Sequence, residues 1–355
     1  MTYVRSSILS MDGYSPGEQP TNLLNTIKLN TNENPYRASE KAYDAIREIL
    51  TIGLSRYPNP VGEKFREAAA EKFNICPESI LCGNGSDDLL TILTRTFVDS
   101  GDTIRLAYPS YSLYLSLAQI QGAKSEMIKF NNDWTLPDEF YKSSNQRLRL
   151  AFLPNPNSPS GTVIPKSRIL EIAERLPCPL VVDEAYADFA EESCMDLVNE
   201  CERIIITRTF SKSYSLAGMR FGFLAAAPQL INQMMKVKDS YNCDTISIAA
   251  ATAAINDNDW LKNNRKKIIE TRTRLTKKMK ELGFNVPNSQ ANFTWNTNTK
   301  YAAQQIYEYL KSNGILVRYM NYKDWGDGLR ISVGTDDQID KCLKYIETYM
   351  SQSNS

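Results

Sequence analysis

Between about residues 80 and 225, the sequence alternates short apolar runs with stretches of helical periodicity. Such alternation is typical of a mostly parallel β-sheet that is covered by helices on both faces. In sheets of this kind, ligands bind beyond the carboxyl ends of the strands. The polar motifs that follow the apolar runs are therefore the candidates for a functional site. The apolar runs expected to form strands are residues 103–107, 148–153, 180–182 and 204–206.

The chain changes character after about residue 260. A long, strongly charged amphipathic helix is predicted to stop at Gly283, because glycine readily ends a helix. Shorter strand and helix patterns follow, and Asp336 and Asp337 open a final helix. These patterns predict a compact α+β carboxyl-terminal domain. Its expected strands cover residues 292–295, 315–318 and 329–333.

The amino-terminal segment is rich in asparagine, proline and glycine and lacks a regular apolar period. This composition predicts an irregular arm. We therefore expect an arm over residues 1–35, a large domain over residues 36–255 and a small domain over residues 256–355. The length of 355 residues agrees with two domains of ordinary size.

The charge balance excludes several classes of protein. The 41 basic and 41 acidic residues cancel without a long run of one sign, so no surface suited to nucleic acid or to an anionic membrane is expected. No apolar stretch reaches the roughly 18 residues of a membrane span, and no signal peptide is recognisable. The expectation is a cytoplasmic protein that acts on a small molecule.

The cysteine and histidine contents restrict the chemistry further. The seven cysteines are scattered and form no Cys-x-x-Cys pair, so reduced and mostly buried thiols are expected and no metal site is predicted. The chain contains no histidine, which excludes Ser-His-Asp and Cys-His nucleophiles and histidine-based zinc sites. Proton transfer must then use lysine, tyrosine, cysteine or a carboxylate.

A lysine follows the apolar run at residues 204–206. Lys212 comes directly after Ser211, and Arg220 lies eight residues further along. This pattern suits a lysine that holds an aldehyde cofactor as a Schiff base while a hydroxyl and a guanidinium bind its phosphate. That cofactor would be pyridoxal 5'-phosphate. The alternative is a surface lysine in a loop rich in serine and glycine.

A Gly-Asn-Gly turn precedes Ser86 and Asp87 at the start of a predicted helix. Free backbone amides at a helix start can bind an anion such as a phosphate. An ordinary capped helix is the alternative. A nicotinamide-binding turn is disfavoured, because Asp88 stands where its third glycine would be.

Two further runs end in groups with chemistry that fits the same cofactor. Asp183 ends the run at residues 180–182, and Tyr186 follows three residues later. A carboxylate at this position could keep the ring nitrogen of the cofactor protonated, or it could cap the next helix. Tyr111, after the run at residues 103–107, could stack on the ring or pack in the core.

Taken together, these motifs resemble, in the same chain order, the fold-type I aminotransferases, and most closely the class II histidinol-phosphate aminotransferase family. The resemblance extends from Gly17-Glu18-Gln19-Pro20 and residues 28–35 to the Leu-Arg-Ile-Ser-Val-Gly segment at residues 329–334. It implies an α/β fold-type I PLP-transferase whose large domain has a mostly parallel sheet sandwiched by helices. It also implies a small α+β domain and a homodimer in which the arm packs on the small domain and on the partner subunit.

The resemblance implies roles for individual residues. Lys212 corresponds to the lysine that carries the cofactor, Asp183 to the partner of its ring nitrogen and Tyr186 to the donor for its ring oxygen. Tyr57 matches a tyrosine that reaches the cofactor phosphate from the partner subunit. The other implied cofactor contacts are Tyr111 for stacking and the Ser86 and Asp87 amides, Ser211 and Arg220 for the phosphate.

One segment departs from the family pattern. The family often has Asn-Pro-Asn-Asn-Pro-Thr-Gly after the third strand, and its last asparagine contacts the ring oxygen of the cofactor. Here the segment reads Asn-Pro-Asn157-Ser158-Pro-Ser-Gly. Either Asn157 supplies the contact after a local shift, or the Ser158 hydroxyl replaces it. Asn157 is the predicted contact.

The resemblance also implies which groups bind the substrate. Arg330 matches the anion receptor, and its planar fork suits a carboxylate. Arg318, Tyr14 and Tyr241 resemble additional donors that allow the pocket to accept a phosphate as well, and Asn34 belongs to the same implied set. For Arg318, a solvated charge at a strand end is the alternative.

The implied reaction is a ping-pong transamination in histidine biosynthesis. Histidinol phosphate and 2-oxoglutarate would give imidazole acetol phosphate and glutamate, with Lys212 as the proton carrier. Two related activities stay open, those of an aromatic amino-acid aminotransferase and of a threonine-phosphate decarboxylase. A regulator without enzymatic activity is disfavoured, because no basic patch for DNA is present.

Overall fold

A computed structural model describes residues 3–20, 26–142 and 145–353 of the chain. Residues 1–2 and 21–25 of the predicted arm, residues 143–144 of the predicted large domain and residues 354–355 of the predicted small domain lie outside the described residues. Two β-sheets organise the described chain. The strands are β1 (Ile27–Leu29), β2 (Ile80–Gly83), β3 (Thr103–Tyr108), β4 (Lys124–Lys129), β5 (Leu148–Pro154), β6 (Leu180–Asp183), β7 (Ile204–Thr209), β8 (Gly222–Ala225), β9 (Phe293–Asn296), β10 (Ile315–Tyr322) and β11 (Gly326–Ser332).

Helices cover both sheets and connect their strands. The longest is α9, which has 24 residues. The helices are α1 (Ser6–Leu9), α2 (Glu40–Ile52), α3 (Glu63–Phe73), α4 (Ser86–Phe97), α5 (Leu113–Gln121), α6 (Lys166–Arg175), α7 (Pro228–Met234), α8 (Thr245–Ile255), α9 (Asn258–Glu281), α10 (Ala303–Ser312) and α11 (Asp336–Gln352). No helix within the described ranges has the length and apolar character that a membrane span requires.

The large sheet has seven strands in the order β2-β8-β7-β6-β5-β3-β4. Strand β8 runs antiparallel to both of its neighbours, and every other pairing in the sheet is parallel. The mostly parallel sheet expected from the sequence is thereby confirmed. The carboxyl ends of β3, β5, β6 and β7 meet at one edge, because these neighbouring strands point the same way.

Strand β6 illustrates why the central strands carry apolar residues on both of their faces. Leu180 and Val182 pack into the core on one face of the sheet, whereas Val181 packs into the core on the other face. Successive side chains of a strand point to opposite faces, so a strand covered on both sides must be apolar at every position. The polar residue Asp183 lies at the carboxyl end of this strand, after its apolar residues.

The small sheet has the order β1-β10-β11-β9. Strand β1 comes from the predicted arm and pairs in parallel with β10. The adjoining core draws on α9, α10 and α11. Helix α9 ends at Glu281 before Gly283, whose φ of 81° lies in the left-handed region that favours glycine. The domain boundaries at residues 35 and 255 stay predictions.

Helix α11 begins where its sequence signals indicated. The Thr335 hydroxyl and the Gln338 side chain form a reciprocal capping box, with Asp336 and Asp337 in the first turn. The seven cysteines are all free, and five of them are buried. The described residues contain no group of three or more acidic or cysteine side chains that could hold a metal ion.

Candidate active site

A cavity of about 300 Å³ lies between the two sheets, at the carboxyl ends of the large-sheet strands. Its wall also includes residues of the arm and of β10 and β11. Eleven of the fifteen predicted site residues line it: Tyr14, Ser86, Asp87, Tyr111, Asp183, Tyr186, Ser211, Lys212, Arg220, Arg318 and Arg330. The remaining four are Asn34, Tyr57, Asn157 and Tyr241.

Lys212 follows β7 and extends into the cavity. Its Nζ donates a hydrogen bond to the Thr31 carbonyl oxygen at 3.0 Å. Asn34 holds the backbone of this segment, since its Nδ2 donates to the carbonyl oxygen of Lys212 at 3.1 Å. Burial and the nearby positive charge of Arg330 lower the pKa of Lys212 to about 8. A substantial fraction of this amine is therefore neutral near physiological pH.

Asp183 ends β6 with only 5% of its surface exposed. Its carboxylate accepts hydrogen bonds from the Tyr114 hydroxyl at 2.7 Å and from the Thr207 hydroxyl at 3.2 Å. Burial raises the pKa of Asp183, and these donors oppose the rise. Among the described residues it forms no ion pair. A buried carboxylate in this situation suits a cationic partner on a ligand.

Arg220, Ser211 and the start of α4 meet at one end of the cavity. The Arg220 Nη1 lies 3.4 Å from the Ser211 hydroxyl, and its Nη2 lies 3.7 Å from Asp87 Oδ2. Gly85 has a φ of 83°, and a Cβ there would stand 2.6 Å from Arg220 Nη2. Glycine is thus required for this close approach. The guanidinium, the hydroxyl and the amides at the helix start together suit a phosphate.

Besides Tyr114, three tyrosines line the cavity: Tyr14, Tyr111 and Tyr186. The Tyr111 hydroxyl donates to Asp87 Oδ1 at 3.3 Å, and its ring contacts the edge of Tyr14 with 5.7 Å between centroids. The Tyr186 hydroxyl accepts a hydrogen bond from Asn32 Nδ2 at 2.9 Å. The Tyr186 ring centroid lies 5.9 Å from Lys212 Nζ. Tyr111 and Tyr186 line the same cavity as Lys212, so both can contact a ligand that Lys212 holds.

The departure from the family pattern at residues 157–158 has a structural outcome. Asn157 is 1% exposed and does not line the cavity. Its Nδ2 instead donates to the Ser160 hydroxyl at 2.9 Å and to the Pro109 carbonyl oxygen at 3.3 Å. Ser158 lines the cavity. The geometry therefore favours Ser158 over Asn157 as the residue that touches a ligand.

Arg318 and Arg330 are register partners on the antiparallel strands β10 and β11. Arg330 donates to the Ser158 hydroxyl at 3.0 Å and to the Asn30 carbonyl oxygen at 3.1 Å, and its buried Nε has no partner. Arg318 donates to two arm carbonyls, those of residues 15 and 16. Within the described residues neither guanidinium forms an ion pair, so both charges are free for an anionic ligand.

Besides Asn157, three predicted residues lie away from the cavity of their own chain. Tyr57 is 80% exposed and Tyr241 is 45% exposed. Their rings stack on each other with 4.4 Å between centroids. Asn34 binds the backbone behind Lys212 rather than the cavity. The roles of Tyr57 and Tyr241 as ligand contacts stay predictions.

Sequence reasoning missed two contributors to this site. Tyr114, which positions Asp183, lies on α5 in a sequence that reads as ordinary core, and it is fully buried against Phe152 with stacked rings. Asn32, which donates to Tyr186, stands at a left-handed φ of 56°. The only sequence signal for Asn32 was its place in the Asn-Glu-Asn-Pro segment that carried the family resemblance.

Comparison with known proteins defines the class of this chain. The model of the family described as aminotransferase class I and II matches residues 25–346. The chain therefore belongs to the aminotransferase class I and II family.

Its individual relatives are more specific. The histidinol-phosphate aminotransferase of Rhodopirellula baltica is 53% identical over 351 residues, which cover 99% of this chain and 96% of that protein. The histidinol-phosphate aminotransferase of Geotalea daltonii is 42% identical over 345 residues, which cover 97% and 98%. The crystal structure of histidinol-phosphate aminotransferase from Sinorhizobium meliloti in complex with pyridoxal-5'-phosphate has a TM-score of 0.89 at 25% identity and covers 98% of this chain and 99% of that chain. The predicted family and the fold-type I architecture are confirmed.

Proposed function

We propose that this protein is a pyridoxal 5'-phosphate-dependent histidinol-phosphate aminotransferase that uses 2-oxoglutarate as the amino acceptor. Relatives with that name are up to 53% identical over nearly the whole chain. The observation that carries the proposal is Lys212, an amine with its pKa lowered to about 8 that lies in a cavity with an unpaired buried carboxylate. Arg220 and Ser211 supply a phosphate cradle in the same cavity.

The residues of the cavity fit this cofactor. Asp183 would bind the ring nitrogen, because its buried carboxylate lacks a cation. Arg220, Ser211 and the amides at the start of α4 would bind the phosphate. Tyr111 would stack on the ring, while Tyr186 and Ser158 would contact its oxygen. When bound, the cofactor supplies an electron sink that makes the substrate's Cα–H bond acidic.

Lys212 is the residue that would move the proton. Among the described residues that line the cavity it is the only lysine, and the chain contains no histidine. An amine with a pKa near 8 can accept and return a proton at neutral pH. Lys212 would therefore take the proton from the substrate's Cα, and the Thr31 carbonyl would orient its Nζ.

Arg318 and Arg330 would bind the anionic end of both substrates. The donor carries a phosphate and no carboxylate, whereas the acceptor carries carboxylates, so one site must accept both kinds of anion. Two neighbouring guanidiniums without ion pairs provide more donors than either anion needs alone. The Tyr14 hydroxyl and Ser158 would supply the remaining polar contacts.

A homodimer belongs to this proposal. Tyr57 stacks on Tyr241 outside the cavity of its own chain. In a dimer this exposed pair would extend into the cavity of the partner subunit, where Tyr57 would reach the cofactor phosphate. Small-molecule substrates, a cytoplasmic location and the absence of nucleic-acid or membrane binding stay predictions from the sequence.

Steady-state rates with competing amino donors test the substrate. The purified protein should form glutamate from 2-oxoglutarate with histidinol phosphate at a kcat/KM at least about tenfold above that with phenylalanine, because the two arginines favour a phosphate. A higher value with phenylalanine would assign the protein to the aromatic aminotransferases. Release of carbon dioxide from threonine phosphate without an acceptor would assign it to the decarboxylases.

Mixing two impaired variants tests the shared site. Lys212→Ala and Tyr57→Phe each impair every site of their own homodimer. A mixed dimer has one site with an intact Lys212 and an intact Tyr57, so activity should recover after the subunits exchange. No recovery, despite mass-spectrometric detection of the mixed dimer, would contradict the assignment of Tyr57 to the partner's cavity.

A further inference from the structure

A buried ionic network outside the cavity lining involves residues that adjoin the proposed cofactor ligands in sequence. Arg208 of β7, with 6% of its side chain exposed, contacts two carboxylates. Its Nη1 donates to Asp188 Oδ1 at 2.7 Å, and its Nε lies 2.9 Å from Glu184 Oε2 in an ion pair whose N–H is not aligned for a hydrogen bond. Glu184 is the residue after Asp183. The network therefore begins at the end of β6.

The network has one branch toward Lys212. The Ser213 hydroxyl, next to Lys212 in the chain and 3% exposed, donates to Asp188 Oδ2. Asn34 Nδ2 donates to the Lys212 and Ser213 carbonyl oxygens at 3.1 Å and 3.3 Å. The segment that carries Lys212 is thus held by a contact to the Ser213 side chain and by a second contact to its backbone.

We propose that Asp188, acting through Ser213, is a positioning residue that holds Lys212 in its desolvated place in the cavity. The inference rests on the proposed role of Lys212 as the cofactor lysine. Arg208 fixes the Asp188 carboxylate, and the carboxylate fixes the Ser213 hydroxyl. Loss of the last contact would let the Lys212 segment relax toward solvent, and a better hydrated amine keeps its proton more readily.

Asp188 contacts more than the guanidinium of Arg208. Glu184 and Asp188 are two carboxylates on that one guanidinium. Burial lowers the pKa of Lys72 and the charge of Asp188 opposes this lowering, but the Lys72 Nζ donates to the carbonyl oxygen of Ile255 and to Asn258. Among the described residues, the side chains that bond directly to Asp188 are therefore those of Arg208 and Ser213.

The chain offers a matched control in Ser193. Its hydroxyl donates to Glu184 Oε2 at 2.8 Å and accepts from Arg208 Nη2 at 3.0 Å. Ser193 and Ser213 are thus two hydroxyls on one ionic network, and only Ser213 adjoins Lys212. A purely structural network would respond alike to Ser193→Ala and Ser213→Ala.

The experiment measures how fast the cofactor-free protein takes up pyridoxal 5'-phosphate as a function of pH. Only the neutral amine attacks the aldehyde, so the midpoint of the profile reports the pKa of Lys212, expected near 8 in the wild type. Titration of the cofactor itself is common to all variants and cancels in the comparison. We expect Ser213→Ala to raise the midpoint by about half a unit, which is about threefold slower uptake at pH 7. Ser193→Ala should keep the wild-type midpoint of the pH profile. Its urea unfolding midpoint should fall as much as that of Ser213→Ala.

Two further variants secure the interpretation. Ser213→Thr keeps the hydroxyl and should restore the wild-type midpoint. If Ser213→Ala does not fold, Asp188→Asn replaces it, because Glu184 still neutralises Arg208 in that variant, and a raised midpoint is again expected. Equal midpoints for the wild type and the Ser213→Ala or Asp188→Asn protein would overturn the inference, as would a shift that Ser193→Ala shares.

Failure of the proposed function would look different. In that case the wild type would not take up the cofactor with a change in absorbance, or Lys212→Ala would take it up with the same spectrum and pH profile. Uptake by the wild type that depends on Lys212, together with identical Ser213→Ala and Ser193→Ala profiles, would leave the proposed function in place and remove only the positioning role.

Discussion

Two charged regions of this protein are built on residues that are neighbours in the sequence. In the cavity, Asp183 and Lys212 have no ion-pair partner within the described chain, and neither has Arg330. In the network outside it, Glu184 and Arg208 form an ion pair at 2.9 Å with side-chain exposures of 0% and 6%. Asp183, the last residue of β6, is a carboxylate without a cation, whereas Glu184, the next residue, is paired with Arg208.

The difference shows how the molecule separates binding from stability. Unpaired buried charges cost folding free energy and are retained where a ligand completes them. Paired buried charges cost much less, and breaking a pair by removing one partner is strongly destabilising. Changes in the cavity should therefore remove function with little loss of stability, whereas loss of Arg208 from the network should mainly lower stability.

The largest effect is expected for Lys212→Ala. Loss of the cofactor anchor and proton carrier should reduce kcat by at least about 10⁴-fold. The cofactor-free variant should be as stable as the wild type or more stable at pH 7, because burial lowers the pKa of Lys212 to about 8 and disfavours the ammonium. The unfolded lysine binds more protons between pH 8 and its ordinary pKa of 10.5, so the wild type should regain stability as the pH rises through this range. Urea titrations at several pH values measure the free energy of unfolding. A clear loss of stability in the variant at pH 7 would contradict the difference between the two regions.

Arg208→Met tests the opposite region. It would leave the buried Glu184 and the partly buried Asp188 without the guanidinium that pairs with both, so the free energy of unfolding should fall by about 3–5 kcal/mol. Urea unfolding of the cofactor-free protein measures the change. Arg330→Met is the matched control, since it removes a guanidinium that forms no ion pair, and its loss should be smaller. Equal losses for the two variants would show that the regions do not differ as described.

Asp183→Asn should lower kcat by about 10²–10³-fold, the range typical for loss of one preorganised electrostatic contact. Burial raises the pKa of Asp183, so its ionised form destabilises the cofactor-free wild type at neutral pH. The variant should then match or exceed the wild-type melting temperature at pH 7. As the pH falls through the pKa of Asp183 in the folded protein, its carboxylate becomes protonated. The melting temperature of the wild type should then rise relative to that of the variant. Melting curves at pH 5 and pH 7 decide the matter, and a variant that melts well below the wild type at pH 7 contradicts it.

Arg330→Lys is expected to have the smallest effect of the four. Lysine keeps the charge but loses the planar fork, so the KM for both substrates should rise about 10- to 100-fold, as for loss of one charged hydrogen bond. The kcat and the melting temperature should change little. A fall in kcat with an unchanged KM would mean that Arg330 acts on the reacting atoms rather than on the substrate anion.

The sequence predicted the parts of the fold that are buried on both faces. Strands β3, β5, β6 and β7 are almost entirely buried and contain the predicted apolar runs, and all four were found within a few residues. Strand β4 was missed, because it lies at the sheet edge and its burial pattern is mixed. Strand β8 was missed as well, since it is short, lies next to the Arg220 segment and runs antiparallel.

The same distinction holds for the site. Residues that follow an apolar run directly, such as Asp183 and Lys212, could be located from the sequence, because parallel strands bring their carboxyl ends together. Tyr114 could not, since its partner lies 69 residues away and its helix reads as core. The Asp188–Ser213 contact spans 25 residues, and no local pattern in the sequence points to it. The sequence could not show whether Asn157 or Ser158 touches a ligand, because this depends on which of the two side chains faces the cavity.

A single-turnover reaction tests the central claim most directly. The wild-type protein, loaded with cofactor and given histidinol phosphate without any acceptor, should release one equivalent of keto product per subunit and stop. Addition of 2-oxoglutarate should then restore the original absorbance and yield one equivalent of glutamate, and Lys212→Ala should do neither. Failure of the wild type to form keto product from histidinol phosphate, while another amino donor reacts, would contradict the account.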